Sequence, residues 1–172
     1  MARLERIESG GWQRDSEMGD YRAEWLTDVL VERATLQSHA IERTLGSEMA
    51  HVVIGQPAFV WARFWFRREG WVVEKYFTPL GRTVGYLAPI CGPIDHHNGK
   101  LMAEVYGLRL WIAESGRVTV LGEERFDRNA ETGDVTPVAL EQAEQRIREL
   151  TTLIAQRRFP PAFVRNFGIL LG

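Results

Sequence analysis

The sequence predicts a mainly β protein with added α-structure: a small antiparallel β-barrel packed by a long C-terminal helix. Three observations predict it. Between His51 and Leu121, β-branched and aromatic residues recur in short runs punctuated by Gly or Pro. Several of these runs are joined by connections of only three or four residues, which favours antiparallel neighbours. Beyond Phe126 the apolar period lengthens to three or four residues, the spacing of one helix face. The expected organisation is one domain over 1–172, with an irregular arm at 1–20, a barrel core at 51–126 and a helix at 136–158. A chain of 172 residues can bury a core of its own without disulfides or metals.

Residues 1–19 are polar and Gly-containing and predict an irregular arm or a loose first strand. From Tyr21 to Leu45 the positions Leu26, Leu30, Ala34, Ile41 and Leu45 follow a helical stripe, with Asp20 as N-cap, so a helix is expected; Val29-Leu30-Val31 also fits a strand. His51–Ile54, Ala58–Arg67 and Trp71–Phe77 are expected strands. Arg68-Glu69-Gly70 forms a tight turn between the last two, and Leu80-Gly81-Arg82 turns into a strand at Thr83–Ala88. Val105–Ile112 and Arg117–Leu121 make a further hairpin across Ala113-Glu114-Ser115-Gly116, whose Gly can take positive φ. Thr136 then caps a helix with Pro137 in its first turn and Ala139, Ala143, Ile147, Leu150 and Ile154 along one stripe. Phe159-Pro160-Pro161 ends it, and Phe163, Phe167, Ile169 and Leu170 suggest a docked tail.

Composition narrows the function. A net charge of −2 gives no electrostatic footprint for duplex nucleic acid or an anionic membrane surface. The single cysteine, Cys91, excludes an internal disulfide and suits a reducing cytoplasm. No apolar run approaches the roughly 20 residues that span a bilayer, and the N-terminal residues of this sequence read as lacking a signal-peptide apolar core. The expected partner is therefore a small molecule, in a cytoplasmic protein compatible with a homodimer. Six Trp and eight Phe, most of them between Phe59 and Trp111, fill a barrel core on the simpler view. Some of them line an apolar pocket on the sharper one.

The stretch KYFTPLGRTVGYLAPICGP, followed by VYGLRLWIAESGRVTVLGEERF, resembles the FomD-like family of divalent-metal-dependent hydrolases. These act on nucleoside di- and triphosphates and on cytidylyl-phosphonates. The resemblance runs from about Trp65 to Pro161. In that family the matching places read roughly Y-x-D/N-I-x-x-P, D-x-x-L-D-L-x-V and L-D-E-D-E-F. Here Pro89 stands for the first Asp or Asn, and Val105 and Arg109 stand for the two Asp of the middle strand. Gly122, Glu124 and Arg125 occupy most of the acidic cluster, and Glu123 alone keeps its carboxylate. Magnesium and manganese need several hard oxygen ligands, and a guanidinium supplies none. The resemblance thus implies a kept scaffold with its metal chemistry removed, and no cofactor; magnesium or manganese is the alternative.

The resemblance sets Lys75, Tyr76, Arg82 and Tyr86 near the substrate phosphates, although strand alternation lets only one of Glu74 and Lys75 face inward. Arg109 occupies the place of an inward metal ligand, so it is expected in the cavity, paired with Glu123, Glu124 or Glu104. Asp95-His96-His97 points its histidines apart and reads as a solvated loop, and Cys91 as a buried structural thiol. The first expectation is a metal-independent cyclase or isomerase of specialised metabolism acting on a largely apolar molecule. Arg109, Glu123, Tyr76 and Glu104 are its catalytic candidates. Lys75, Arg82, Tyr86, Tyr106, Trp65 and Trp111 are its ligand-binding candidates. The second is a magnesium- or manganese-dependent nucleoside di- or triphosphate hydrolase with rearranged ligands at Glu104, Glu123, Glu124 and Asp127. The third is a non-catalytic nucleotide- or metabolite-binding module.

Overall fold

A computed structural model describes residues 4–169. Its centre is a nine-stranded antiparallel sheet that curls into a half-barrel. The strands are β1 (Glu5–Glu8), β2 (Met18–Leu26), β3 (Val29–Leu36), β6 (Val60–Phe66), β7 (Trp71–Phe77), β8 (Thr83–Cys91), β9 (Asp95–His97), β10 (Lys100–Ala113) and β11 (Val118–Leu121). The path runs β1-β10-β8-β7-β6-β3-β2, with β9 and β11 also paired to β10. Among the described residues the end strands β1 and β2 do not pair, so the sheet stays open where a closed barrel was expected. A separate two-stranded ribbon is made by β4 (Arg43–Thr44) and β5 (Val53–Gly55).

The predicted helix at Tyr21–Leu45 is replaced by the β2–β3 hairpin. Strand alternation explains the core better than the helical stripe does, because Leu30, Ala34 and Leu36 bury on one face and Val31 on the other. Asp20 is no N-cap but lies in β2, with positive φ, at a register shift. The arm at 1–20 is likewise structured: β1 pairs with β10, and a 3-10 turn at Gly11–Arg14 buries Trp12. The sheet therefore recruits strands from outside the expected core at 51–126.

The central hairpins follow the sequence. The β6–β7 pair sets Arg63 opposite Glu74 and Phe64 opposite Val73, with the turn closing at Gly70. Alternation divides the sheet into two buried faces. Val60, Ala62, Phe64, Val73, Phe77, Ala88, Leu108 and Leu110 meet the helices, and Trp65, Tyr76, Leu87, Trp111 and Leu121 lie on the concave side.

Three helices follow: α1 (Glu123–Thr132), α2 (Pro137–Ala155) and α3 (Ala162–Asn166). In α2 the Thr136 hydroxyl accepts from the Ala139 N–H at 3.1 Å, and Ala143 and Leu150 bury against the sheet, as the stripe predicted. Helix α1 was not predicted, since only Phe126 of its ten residues is buried. The tail does dock: the Phe64 ring meets Phe163 and Phe167 edge-on at 5.8 and 5.2 Å. Leu170 lies outside the described residues. No helix among the described residues is long and apolar enough to cross a membrane.

Candidate functional site

Strand β10 bends at Gly107, which takes φ of +112°, and the register to β8 shifts between Val105 and Arg109. Val105, Gly107 and Arg109 alternate onto one face of β10 across this irregularity and line one cavity. Helix α1 begins directly against it. A Cβ on Gly122 would lie 2.0 Å from the Gly107 carbonyl oxygen, so only glycine lets the helix start there.

The cavity holds about 550 Å³. Pro89 and Val105 form part of its wall, and Arg63, Arg109, Arg125 and Arg128 contribute four guanidinium groups. Glu5, Glu48, Glu74 and Glu124 contribute carboxylates, and Leu45 to Glu48 cross one side. Pro89, Val105, Arg109, Gly122, Glu124 and Arg125, which the family resemblance sets opposite its carboxylate positions, line this one cavity. Glu123 does not; it is exposed at the start of α1.

The floor is a buried polar network on the concave face. Arg63 Nε donates to Glu74 Oε2 at 2.7 Å, and the guanidinium lies 4.4 Å above the Trp12 ring. Burial pulls the Arg63 pKa down, but the Glu74 and Glu32 carboxylates outweigh it and hold the pKa above its ordinary value. The Tyr76 hydroxyl donates to Glu74 Oε1 at 2.6 Å; burial, then the Glu74 charge, raise its pKa well above the usual phenol range. Glu32 accepts from the Gly10 N–H, the Tyr21 hydroxyl and the Trp65 Nε1–H at 2.6, 2.6 and 2.7 Å. Three donors thus hold its carboxylate as structural glue.

Arg109 lines the cavity, and of its expected carboxylate partners only Glu124 lines it too, without pairing to Arg109. Its guanidinium donates to the Leu45 carbonyl at 3.2 Å, and among the described residues it forms no ion pair within 4.0 Å. Arg125 lies 3.8 Å from Glu5 with both side chains well exposed, a contact of little strength. Glu104 is exposed on β10, opposite Arg6, and does not line the cavity.

The remaining candidates lie elsewhere. Lys75 shares its face with Val73 and Phe77, so it points to the helices while Glu74 takes the inward place. Its ammonium donates to the carbonyls of Val164, Arg165 and Phe167 at 2.8, 2.9 and 2.8 Å, beyond and within α3. Burial pulls its pKa down to about 8, with Glu114 opposing, so near neutral pH it keeps three donors for three carbonyls. Tyr86, 5.4 Å from that ammonium, and Tyr106 also face the helices. Arg82 is exposed in the turn before β8. Trp65 and Trp111 are core residues, Trp111 stacked 6.2 Å from Tyr76. Among the described residues no aromatic ring lines the cavity, so the aromatic pocket expected for an apolar ligand is not found there.

Sequence reasoning missed Arg63, Glu74, Glu48 and Arg128. The signal for the first two was present: one charge each, at inward positions of two apolar strands, directly opposite in register.

Cys91 is mostly buried beside the Pro89 carbonyl, and burial, then the Glu74 charge, push its thiol up to about 12. A folded-state pKa above the unfolded value favours the protonated form, so its contribution to stability is present below about pH 9 and fades toward pH 12. At about pH 8 a disulfide reagent should label native Cys91 about a hundredfold or more slowly than the unfolded chain. Equal rates would contradict this burial.

Among the described residues no three His, Cys, Asp or Glu side chains are grouped to hold a metal ion. Glu74 is committed to Arg63 and Tyr76, and Glu48 accepts from the Gly122 N–H at 2.9 Å.

No family model matches this chain, and no curated protein matches it significantly. Solved structures do. The complex of FomD with CDP superposes with a TM-score of 0.64 at 14% identity, covering 100% of this chain and 95% of that one. A phosphatase holding the non-hydrolysable nucleotide GPCP gives 0.60 at 15% identity, over 81% of this chain and 72% of its own. A DUF402 protein of unknown function from Rhodococcus sp. RHA1 gives 0.56 at 16%, over 81% and 73%. At such identities the likeness shows the architecture alone, and the chain has the FomD-like fold.

Proposed function

We propose that the cavity is a metal-independent binding site for a small phosphorylated molecule of nucleotide type. Arg109 and Arg128 are its principal anion contacts, and Arg125 an auxiliary one. The observation that carries this is the set of guanidinium groups of Arg109, Arg125 and Arg128, which line the cavity beside the paired Arg63 and Glu74 and the carboxylates of Glu5, Glu48 and Glu124. Guanidinium forks match phosphate oxygens bidentately, which suits this role better than a hydrated ammonium would. The volume falls within the range of small-molecule sites. Two solved proteins of the same fold hold CDP and GPCP, which supports a nucleotide over other phosphorylated ligands. Arg63 is neutralised by Glu74, so it shapes the floor rather than adding free charge.

The test is ligand-induced stabilisation. CDP at about one hundred times its Kd should stabilise the wild type by about 2.7 kcal/mol. Arg109→Ala should lose at least about tenfold in affinity, as expected for one charge-assisted contact, with little change in stability without ligand. Equal CDP affinity in both proteins would contradict the assignment.

A further inference from the structure

We propose that residues 45–49 form a strap over the cavity, latched by Glu48, which an anionic ligand displaces as it enters. The strap belongs to the two-stranded β4–β5 ribbon and not to the main sheet. Its root is fixed, because Leu45 is buried with Ile54, Tyr76, Leu87, Trp111 and Leu121. The next residue, Gly46, takes φ of +101° and ψ of −173°, a backbone region open essentially to glycine alone. From this hinge a short 3-10 turn, Ser47–Met49, carries Glu48 across the cavity.

Two contacts fasten the strap to the opposite wall. The Glu48 carboxylate accepts from the Gly122 N–H at 2.9 Å, and the Leu45 carbonyl accepts from Arg109 at 3.2 Å. Gly122 is the N-cap of α1 and has no side chain to cap it, so Glu48 acts as that cap from 74 residues away. Both fastenings use groups that an entering anion would engage, namely Arg109 and the positive end of α1. A phosphate there also brings like charge against Glu48, weakening the latch as it forms its own contacts. Between the buried Leu45 and Met49, which is half-buried against the same cluster, Gly46, Ser47 and Glu48 are exposed, so these three residues contribute little further resistance.

The ligand half of this proposal rests on the binding site proposed above; the latch half does not. Hydrogen exchange on the ligand-free protein tests the latch. Glu48→Ala should speed exchange of the amides of residues 46–50 and of Gly122 by about fivefold or more, the size of a lost N-cap. Glu124→Gln, which removes a cavity charge but no strap contact, should leave those amides unchanged. CDP then tests displacement: Glu48→Ala should bind it at least about threefold more tightly than the wild type, since no latch must be broken. Unchanged exchange in Glu48→Ala overturns the latch. Faster exchange with equal or weaker CDP binding overturns displacement and leaves Glu48 a fastening only. Absence of CDP binding in every variant overturns the anion site and displacement together, while the exchange rates still decide the latch.

Discussion

Arg63→Ala should destabilise the protein by about 3–5 kcal/mol, the cost of leaving a buried carboxylate without its partner. The pair is nearly sealed from solvent, with side-chain exposures of 10% for Arg63 and 12% for Glu74. Its worth is not that of a surface ion pair, because each charge was desolvated on folding and is compensated chiefly by the other. Removing Arg63 also strips the Trp12 ring of its cation contact and the Glu32 carboxylate of a neighbouring positive charge. The sharper check is a double substitution. Arg63→Met with Glu74→Leu removes both charges and should recover most of the lost stability in a denaturant titration. A loss below about 1 kcal/mol for Arg63→Ala would mean that Glu74 finds water or protonates cheaply, and the floor is not the rigid element described.

Lys75→Met should release the C-terminal segment. The substitution keeps the apolar stem and deletes the ammonium, so three carbonyls at the end of α3 lose their donor together. The expected loss is about 2–4 kcal/mol, since hydrogen bonds to charged groups exceed neutral ones and the contact to the Val164 carbonyl is buried. The effect should be local. Amides of residues 162–167 should lose exchange protection, and the Phe64 cluster should become accessible to protease, while β10 and the cavity keep their protection. Lys75→Arg should not rescue it, because a planar fork cannot aim at three carbonyls grouped around one point. Unaltered protection in Lys75→Met would contradict the clamp.

These two residues also show what the sequence made legible. Strand β7 was visible to its ends, because Trp71–Phe77 is a run of β-branched and aromatic residues between two turn signals. The orientation of Lys75 was in principle legible too. It alternates with Val73 and Phe77, which must face the helices, and this local evidence outweighs a position inferred from family resemblance. The β2–β3 hairpin was misread because Leu26, Leu30 and Ala34 happen to fall four apart. Its turn at Thr27-Asp28 uses a non-glycine residue with positive φ, and Glu32 interrupts the apolar alternation. Glu32 can be buried only because Gly10, Tyr21 and Trp65 supply three donors, and that arrangement exists only after folding. Helix α1 lacked an apolar stripe, and its cap comes from a distant loop rather than from a neighbouring residue.

At the site, Arg109 and the convergence of Pro89, Val105, Gly122, Glu124 and Arg125 were legible through their places in two short motifs. The character of the cavity was not. Six Trp and eight Phe read as core filling on the simpler view and as an apolar pocket on the sharper one, and the rings pack one another: Trp12 on Trp61, Trp61 on Tyr76 and Tyr76 on Trp111. Aromatic abundance reported core volume, and the cavity inherited the charged residues left at its rim.

The central claim is that guanidinium groups, and no divalent cation, receive the ligand's phosphates. Calorimetric titration of CDP into the protein, once with a chelator and once with magnesium or manganese, tests it most directly, with free phosphate measured in the same samples. The account predicts binding of equal affinity in both conditions and no release of phosphate. Binding that appears only with the metal, or phosphate released in its presence, would contradict it and return the site to metal-dependent hydrolysis.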